Sequence, residues 1–141
     1  MVTLKAHNIL DYIIAIALVA SPFIFDFSNV DQARNLFLTL GIGLALYSAI
    51  TNYYYSLARL IPLGVHMVFD AAAGAILIAG PTLFGYRDQL SDFQVGVHIV
   101  MGLGAVGLVA ITRTRTEAAK TSEQRREIDQ HHSRHVTSPR I

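Results

Sequence analysis

Two His-x-x-x-Asp pairs are the residues of this sequence whose types and spacing are best suited to chemistry: His7 with Asp11, and His66 with Asp70. Residues four apart share one face of an α-helix, so each pair sets an imidazole beside a carboxylate. Such groups can bind zinc or a similar ion, relay protons, or hydrogen-bond to each other. The pairs therefore predict a polar cluster, with metal binding and proton or ion handling as alternatives to a structural role.

Each pair stands near the start of a long apolar stretch. Four such stretches occur, each of about 20 residues, which as a helix is enough to cross a ~30 Å hydrocarbon core. They cover residues 7–25, 35–54, 63–84 and 93–111. A chain of 141 residues contains no large soluble core in which four such helices could be buried. Because the connections are short, the sequence predicts an all-α, up-down-up-down bundle of four transmembrane helices.

Composition divides the chain into two parts. Residues 1–112, the predicted membrane domain, carry a formal charge of −2, whereas residues 113–141 carry +3. So few charges in the first part exclude a typical water-soluble enzyme domain and a nucleic-acid binder. The chain has no cysteine, which excludes disulfides and thiolate metal sites. No catalytic motif and no cofactor-binding motif is present, so neither a catalytic residue nor a cofactor is predicted.

Basic residues are concentrated on one side of the predicted bundle. Lys5, Arg59 and the tail lie on that side, whereas Arg34 and Arg87 lie on the other side among aspartates. The positive-inside rule then predicts that both termini are cytoplasmic. The tail has almost no apolar face, which predicts a solvated basic helix that becomes disordered near Ser138. Its histidines, at positions 131, 132 and 135, are a weaker candidate for loose metal binding.

An internal repeat relates the two halves of the membrane domain. Residues 7–27 align with residues 66–86 at an offset of 59 without a gap, and His, Asp and Pro are among the six identities. Farther along, Gly41, Gly43 and Thr51 align at an offset of 61 with Gly102, Gly104 and Thr112. We interpret this as two tandem two-helix repeats, at about 5–54 and 62–112, that share one orientation in the membrane.

The sequence also predicts roles for the prolines, the aromatic residues and the small residues of the spans. The helix faces that carry the two His-x-x-x-Asp pairs extend as far as Pro22 and Pro81. These prolines are expected to bend or end their helices. The aromatic residues after each proline are expected to act as anchors at the outer interface. Small residues at every fourth position are expected to let helices approach closely, namely Gly41, Ala45 and Ala49, and Ala71, Ala75 and Ala79.

The His-x-x-x-Asp opening, the Ser21-Pro22 ending and the following aromatic residues resemble the bacterial SPW-repeat integral membrane family. The resemblance covers about residues 5–114, but the tryptophan of the motif is replaced by Phe23 in the first copy and Thr82 in the second. It implies a four-span architecture in the bacterial cytoplasmic membrane and no specific activity. We therefore expect a small membrane protein with a structural or accessory role. Its expected partners are the lipid bilayer and either other membrane proteins or a second copy.

Overall fold

The computed structural model describes residues 4–51, 57–58 and 60–136, most of which lie in four α-helices. These are α1 (Leu4–Ile24), α2 (Asp31–Ile50), α3 (Leu63–Leu83) and α4 (Asp92–Val136). A 3₁₀ turn, Arg87–Gln89, lies between α3 and α4. No named strand occurs among the described residues. The predicted all-α fold is confirmed.

All four helices are long and apolar enough to cross a membrane, and α4 supplies Asp92–Thr112 for this purpose. The outward faces carry large apolar side chains that a water-soluble protein would bury, including Ile16, Leu46, Phe69 and Val100. Lipid tails solvate such side chains without cost, whereas their exposure to water would be unfavourable. The protein is therefore an integral membrane protein.

Close helix packing occurs mainly within each repeat, where α1 lies along α2 and α3 lies along α4. A Cβ atom at Gly41 would lie 2.9 Å from the carbonyl oxygen of Ala15, and one at Gly102 would lie 2.5 Å from that of Gly74. These glycines therefore allow backbone-to-backbone contact. The small-residue face expected on α3 is wrong in part, because the contact uses Gly74 whereas Ala75 is exposed.

The prolines lie in the last turn of α1 and α3, and both helices end in the same way. Pro22 and Pro81 accept backbone hydrogen bonds from the residues five positions later, Phe27 at 2.9 Å and Tyr86 at 3.0 Å. This closure requires a left-handed residue just before the donor. Asp26 (φ 56°) supplies it in the first repeat, and Gly85 (φ 70°) supplies it in the second.

The aromatic residues after the prolines do not all anchor the outer interface as expected. Phe23 and Phe84 are exposed, but Phe27 and Tyr86 are fully buried. The left-handed residue reverses the chain direction after each helix, and this reversal turns Phe27 and Tyr86 into the core.

The two repeats have matching helices and unequal connections. Adding 59 to the bounds of α1 gives the bounds of α3. The connection within the first repeat is residues 25–30, whereas that within the second is residues 84–91 and includes the 3₁₀ turn. These two extra residues account for the change of sequence offset from 59 to 61.

Beyond its span, α4 continues as a helix to Val136. The described side chains of this extension, including residues 124–129, are exposed. Exposure on all sides is typical of a helix surrounded by water. The disordered end predicted near Ser138 lies outside the described residues.

Candidate functional site

The two His-x-x-x-Asp pairs meet at one end of the bundle, in what we call the His–Asp cluster: His7, Asp11, His66 and Asp70. His66 Nε2 lies 3.2 Å from Asp11 Oδ2 and 3.2 Å from Asp70 Oδ2. His7 Nε2 lies 3.5 Å from Asp11 Oδ1 and 3.6 Å from Asp70 Oδ2. Each carboxylate thus faces the histidine of its own repeat and that of the other repeat. All four residues are buried.

Helix geometry explains why these residues converge. His7 and His66 lie in the first turns of α1 and α3, and each aspartate follows one turn later on the same face. The same faces continue through Ala15 and Leu18 on α1 and through Gly74 and Leu77 on α3, all of which are buried. The two inner faces therefore place their polar ends at the same depth.

Two threonines fix the histidine rings: Thr112 on α4, and Thr51 at the C-cap of α2. His7 Nδ1 lies 2.9 Å from Thr112 Oγ1, and His66 Nδ1 lies 2.9 Å from Thr51 Oγ1. Each hydroxyl donates its own proton to the carbonyl four residues earlier, at 2.8 Å for Thr112 and 2.6 Å for Thr51. The hydroxyl oxygen must then accept a hydrogen bond from the ring Nδ1–H. Each ring is thereby held with Nε2 facing the carboxylates.

Tyr47 on α2 makes the cluster asymmetric. Its hydroxyl donates to Asp70 Oδ1, which leaves Asp70 Oδ2 facing the histidines. The corresponding position of the second repeat is Leu108, which has no hydroxyl to donate to Asp11. Asp11 Oδ2 and Asp70 Oδ2 are both buried, and neither receives a well-aligned hydrogen bond from the described residues.

Burial constrains the charge of the cluster. An uncompensated charge in a dry site is unfavourable by several kcal/mol. Two carboxylates and two neutral imidazoles, each with its Nδ1 proton, carry a net charge of −2, and two further protons bring it to zero. Zero charge is also reached when the same four groups, without those protons, surround one divalent cation.

Sequence reasoning predicted the four residues of the cluster but not the groups that orient them. The alignment of Thr51 with Thr112 was visible in the repeat, although it carried no sign of contact with histidine. Tyr47 gives no repeat signal at all. The side chains of Arg113 and Arg115, which follow Thr112 in the sequence, lie outside the described part of the chain. Pro22 and Pro81 lie at the opposite helix ends from the cluster.

His98 belongs to a second group at the other end of the bundle, the aromatic cluster of Phe27, Phe37, Tyr86 and His98. The ring centroid of His98 lies 4.7 Å from that of Phe37 and 5.4 Å from that of Phe27. His98 Nδ1 lies 2.8 Å from the carbonyl oxygen of Gln94 and donates to it. Burial raises the pKa of Tyr86 to about 12. His98 therefore takes no part in the His–Asp cluster.

Comparison with known proteins gives a match to one protein family. The SPW repeat domain matches residues 5–113, which include all four spans. The chain belongs to the SPW repeat family. The comparisons with curated proteins and with solved structures give no match.

The SPW motif lies at the ends of α1 and α3, away from the His–Asp cluster. Ser21 donates to the carbonyl oxygen of Ala17 at 2.6 Å. Its counterpart Gly80 has no space for a side chain, because a Cβ atom there would lie 2.9 Å from the Tyr86 hydroxyl. The third position, Phe23 or Thr82, is exposed in both repeats. Loss of the SPW tryptophan therefore changes the outer surface and leaves the core intact.

Proposed function

We propose that this SPW repeat protein has a structural or accessory role in the bacterial cytoplasmic membrane, and that the His–Asp cluster acts as a clamp between its two repeats. The observation that carries the proposal is that each carboxylate lies between two histidines, one from each repeat. Most of the close helix packing is within a repeat. Polar contacts that cross between repeats are therefore well placed to hold the two halves together.

Orientation in the membrane is part of this proposal. The bias of basic residues supports cytoplasmic termini, which sets the His–Asp cluster at the cytoplasmic end of the bundle. The bilayer is then the principal partner. The exposed apolar faces are suited to lipid, to a second copy or to other membrane proteins.

A continuous proton or ion pathway is less well supported than a clamp. Between Asp11 and Ser21, the buried residues of α1 are Ala15 and Leu18. Between Asp70 and Gly80, those of α3 are Gly74 and Leu77. Within these described stretches the inner faces are apolar, whereas a relay requires polar groups or water along its length.

Substitution of the aspartates tests the clamp. Asp11→Asn or Asp70→Asn should lower the free energy of unfolding by about 0.6 kcal/mol, the average for a hydrogen bond within a membrane, since the amide still accepts. Asp→Leu at either position should cost about 1–3 kcal/mol, because it leaves buried imidazole groups uncompensated. Unfolding of the detergent-solubilised, chelator-treated protein measures both effects.

Asp88 provides the matched control because it is exposed. Asp88→Leu should change stability by less than about 0.5 kcal/mol. If Asp11→Leu and Asp70→Leu are as neutral as Asp88→Leu, the cluster does not hold the repeats together and the proposal is wrong.

A further inference from the structure

The distances within the His–Asp cluster suit a metal ion better than direct ion pairs. Charge-assisted N–H···O hydrogen bonds usually measure about 2.7–2.9 Å. The four distances from histidine Nε2 to aspartate oxygen are longer, at 3.2, 3.2, 3.5 and 3.6 Å. In a tetrahedral zinc site with metal–ligand bonds of 2.0–2.2 Å, adjacent ligand atoms lie about 3.3–3.6 Å apart. With Oδ2 of each aspartate as the ligand, two edges, those from His66 Nε2, measure 3.2 Å, and a third, from His7 Nε2 to Asp70 Oδ2, measures 3.6 Å. These three distances are close to the edges of such a tetrahedron, whereas the 3.5 Å contact of His7 is with the other oxygen of Asp11.

The hydrogen bonds around the cluster also match those of a metal site. Metal-bound histidines almost always donate their other ring N–H to an acceptor, which fixes the tautomer and the ring orientation. Thr51 and Thr112 act in this way here, so that both Nε2 atoms face inward. Tyr47 holds one oxygen of Asp70 and leaves the other facing the centre. One candidate ligand atom from each of the four residues lies within 4.8 Å of those of the others.

We propose that the His–Asp cluster binds one divalent transition-metal ion, with Zn²⁺ as the best match, through His7 Nε2, His66 Nε2 and one oxygen each of Asp11 and Asp70. This inference deepens the clamp proposed above and rests on the same contacts between repeats. Two nitrogen and two oxygen ligands in a tetrahedron are suited to zinc. Mg²⁺ and Ca²⁺ require six or more ligands that are mostly oxygen, and are therefore poor matches.

Charge balance gives the site a measurable property. Apart from the two Nδ1 protons, which stay on the rings, the metal-free cluster is neutral when it holds two protons, and the zinc-bound cluster is neutral when it holds none. Binding of one Zn²⁺ therefore forms two Zn–N bonds and two Zn–O bonds and releases two protons to solvent. Among the side chains that the structure describes, a further titratable group in contact with the cluster is Tyr47 on α2, which keeps its proton as the donor to Asp70. Apparent affinity should rise about 100-fold per pH unit while both protons remain bound.

Zinc titration of the full chain tests the proposal directly. The protein is purified in detergent without a histidine tag, treated with chelator, and titrated calorimetrically with Zn²⁺ alone in two buffers of different ionisation enthalpy. We expect one Zn²⁺ per chain and release of two protons. Co²⁺ should give the intense visible absorption of a tetrahedral site. Absence of saturable binding, or binding that releases no protons, would overturn the proposal.

Variants locate the ion and separate this proposal from the clamp. Asp11→Asn combined with Asp70→Asn should weaken zinc binding at least 100-fold in protein whose helix content is unchanged. His98→Gln removes a buried histidine at the opposite end of the bundle and should leave binding unchanged. Combined His131→Gln, His132→Gln and His135→Gln should also leave it unchanged, and loss of zinc in that variant would assign the ion to the tail and overturn the site.

The two proposals can fail independently. If no zinc binds while Asp11→Leu still destabilises the metal-free protein, the metal site is wrong and the clamp stands. If zinc binds with release of two protons while Asp11→Leu leaves metal-free stability unchanged, the metal site stands and the proton-filled clamp is wrong.

Discussion

At the scale of single residues, Thr51 and Thr112 determine what the histidines can do. Thr112 within α4 and Thr51, the C-cap residue of α2, both donate to the carbonyl four residues earlier, as threonines in helices commonly do. That bond uses the hydroxyl proton and leaves the oxygen as an acceptor for histidine Nδ1. A local helix contact thereby fixes the orientation of a ring on another helix.

Removal of the Thr112 hydroxyl should show how much its hydrogen bond with His7 contributes to stability. Thr112→Val keeps the side-chain shape but leaves the His7 Nδ1–H without this acceptor. We expect a loss of about 1–3 kcal/mol in the free energy of unfolding, the usual cost of an unsatisfied buried polar group. Chemical unfolding in detergent measures it. Thr39→Val on the exposed face of α2 is the control, and an equal loss there would contradict the explanation.

The four polar residues of the cluster could be found from sequence because two signals coincided. His, Asp and Pro are unusual within membrane spans, and their gapless recurrence placed both pairs on equivalent helix faces. The contacts of Thr51, Thr112 and Tyr47 could not be found in this way. Their roles depend on the rotation of α2 and α4 against α1 and α3, which helical periodicity within one segment does not determine.

At the scale of helices, each repeat is a pair in backbone contact, through Gly41 in the first repeat and through Gly74 and Gly102 in the second. Gly41 and Gly102 each begin a Gly-x-Gly motif whose second glycine has open space around it. A Cβ atom at Gly43 or at Gly104 would meet nothing within 4 Å. The first glycine of each motif, Gly41 or Gly102, leaves no room for a side chain. The second, Gly43 or Gly104, lies half a helical turn away and has room for one.

Alanine substitutions should separate the two kinds of glycine. Gly102→Ala forces α3 and α4 apart and should cost about 1–3 kcal/mol, as overpacking usually does. Gly104→Ala should instead stabilise the helix by about 0.5–1 kcal/mol, because alanine loses less conformational entropy than glycine. Thermal unfolding of both variants in one detergent measures the contrast. Similar effects for Gly102→Ala and Gly104→Ala would mean that the close α3–α4 contact is absent.

The sequence predicted the positions of the helices more accurately than the faces through which they pack. Length and hydropathy define a span, and the repeat supplied α3 once α1 was recognised. The packing face predicted on α3 from Ala71, Ala75 and Ala79 was wrong in part, since Ala75 and Ala79 are exposed. Small residues at every fourth position also occur on surfaces that face lipid. Phe27 and Tyr86 were expected at the interface, since the chain reversal at Asp26 and Gly85 leaves no periodic signal.

At the scale of the whole molecule, the buried polar groups lie near the two ends of the bundle. The His–Asp cluster lies at one end, the aromatic cluster lies at the other, and apolar side chains fill the inner faces between them. The basic extension of α4 emerges at the end that contains the His–Asp cluster. If both termini are cytoplasmic, the cluster is within about one helical turn of the cytoplasmic boundary.

Cysteine labelling should establish the orientation, because the chain has no native cysteine. Single cysteines replacing Ser28 or Ser91 should react with an impermeant thiol reagent added outside intact cells. Cysteines replacing Ser56 or Ser133 should react only after the membrane is opened. External labelling at Ser56 or Ser133 would reverse the proposed orientation, and labelling of Ser28 and Ser133 from the same side would contradict four spans.

The reciprocal contacts of the His–Asp cluster also bear on how such a chain arose. One repeat alone supplies one histidine and one aspartate to the cluster and cannot form the four-membered group. An ancestor of two helices would have needed to pair with an identical copy, through a self-complementary interface of the kind found in two-fold symmetric dimers. Duplication and fusion of its gene would have made that pairing permanent. The fused halves could then diverge, which accounts for Tyr47 opposite Leu108 and for His98 opposite Phe37.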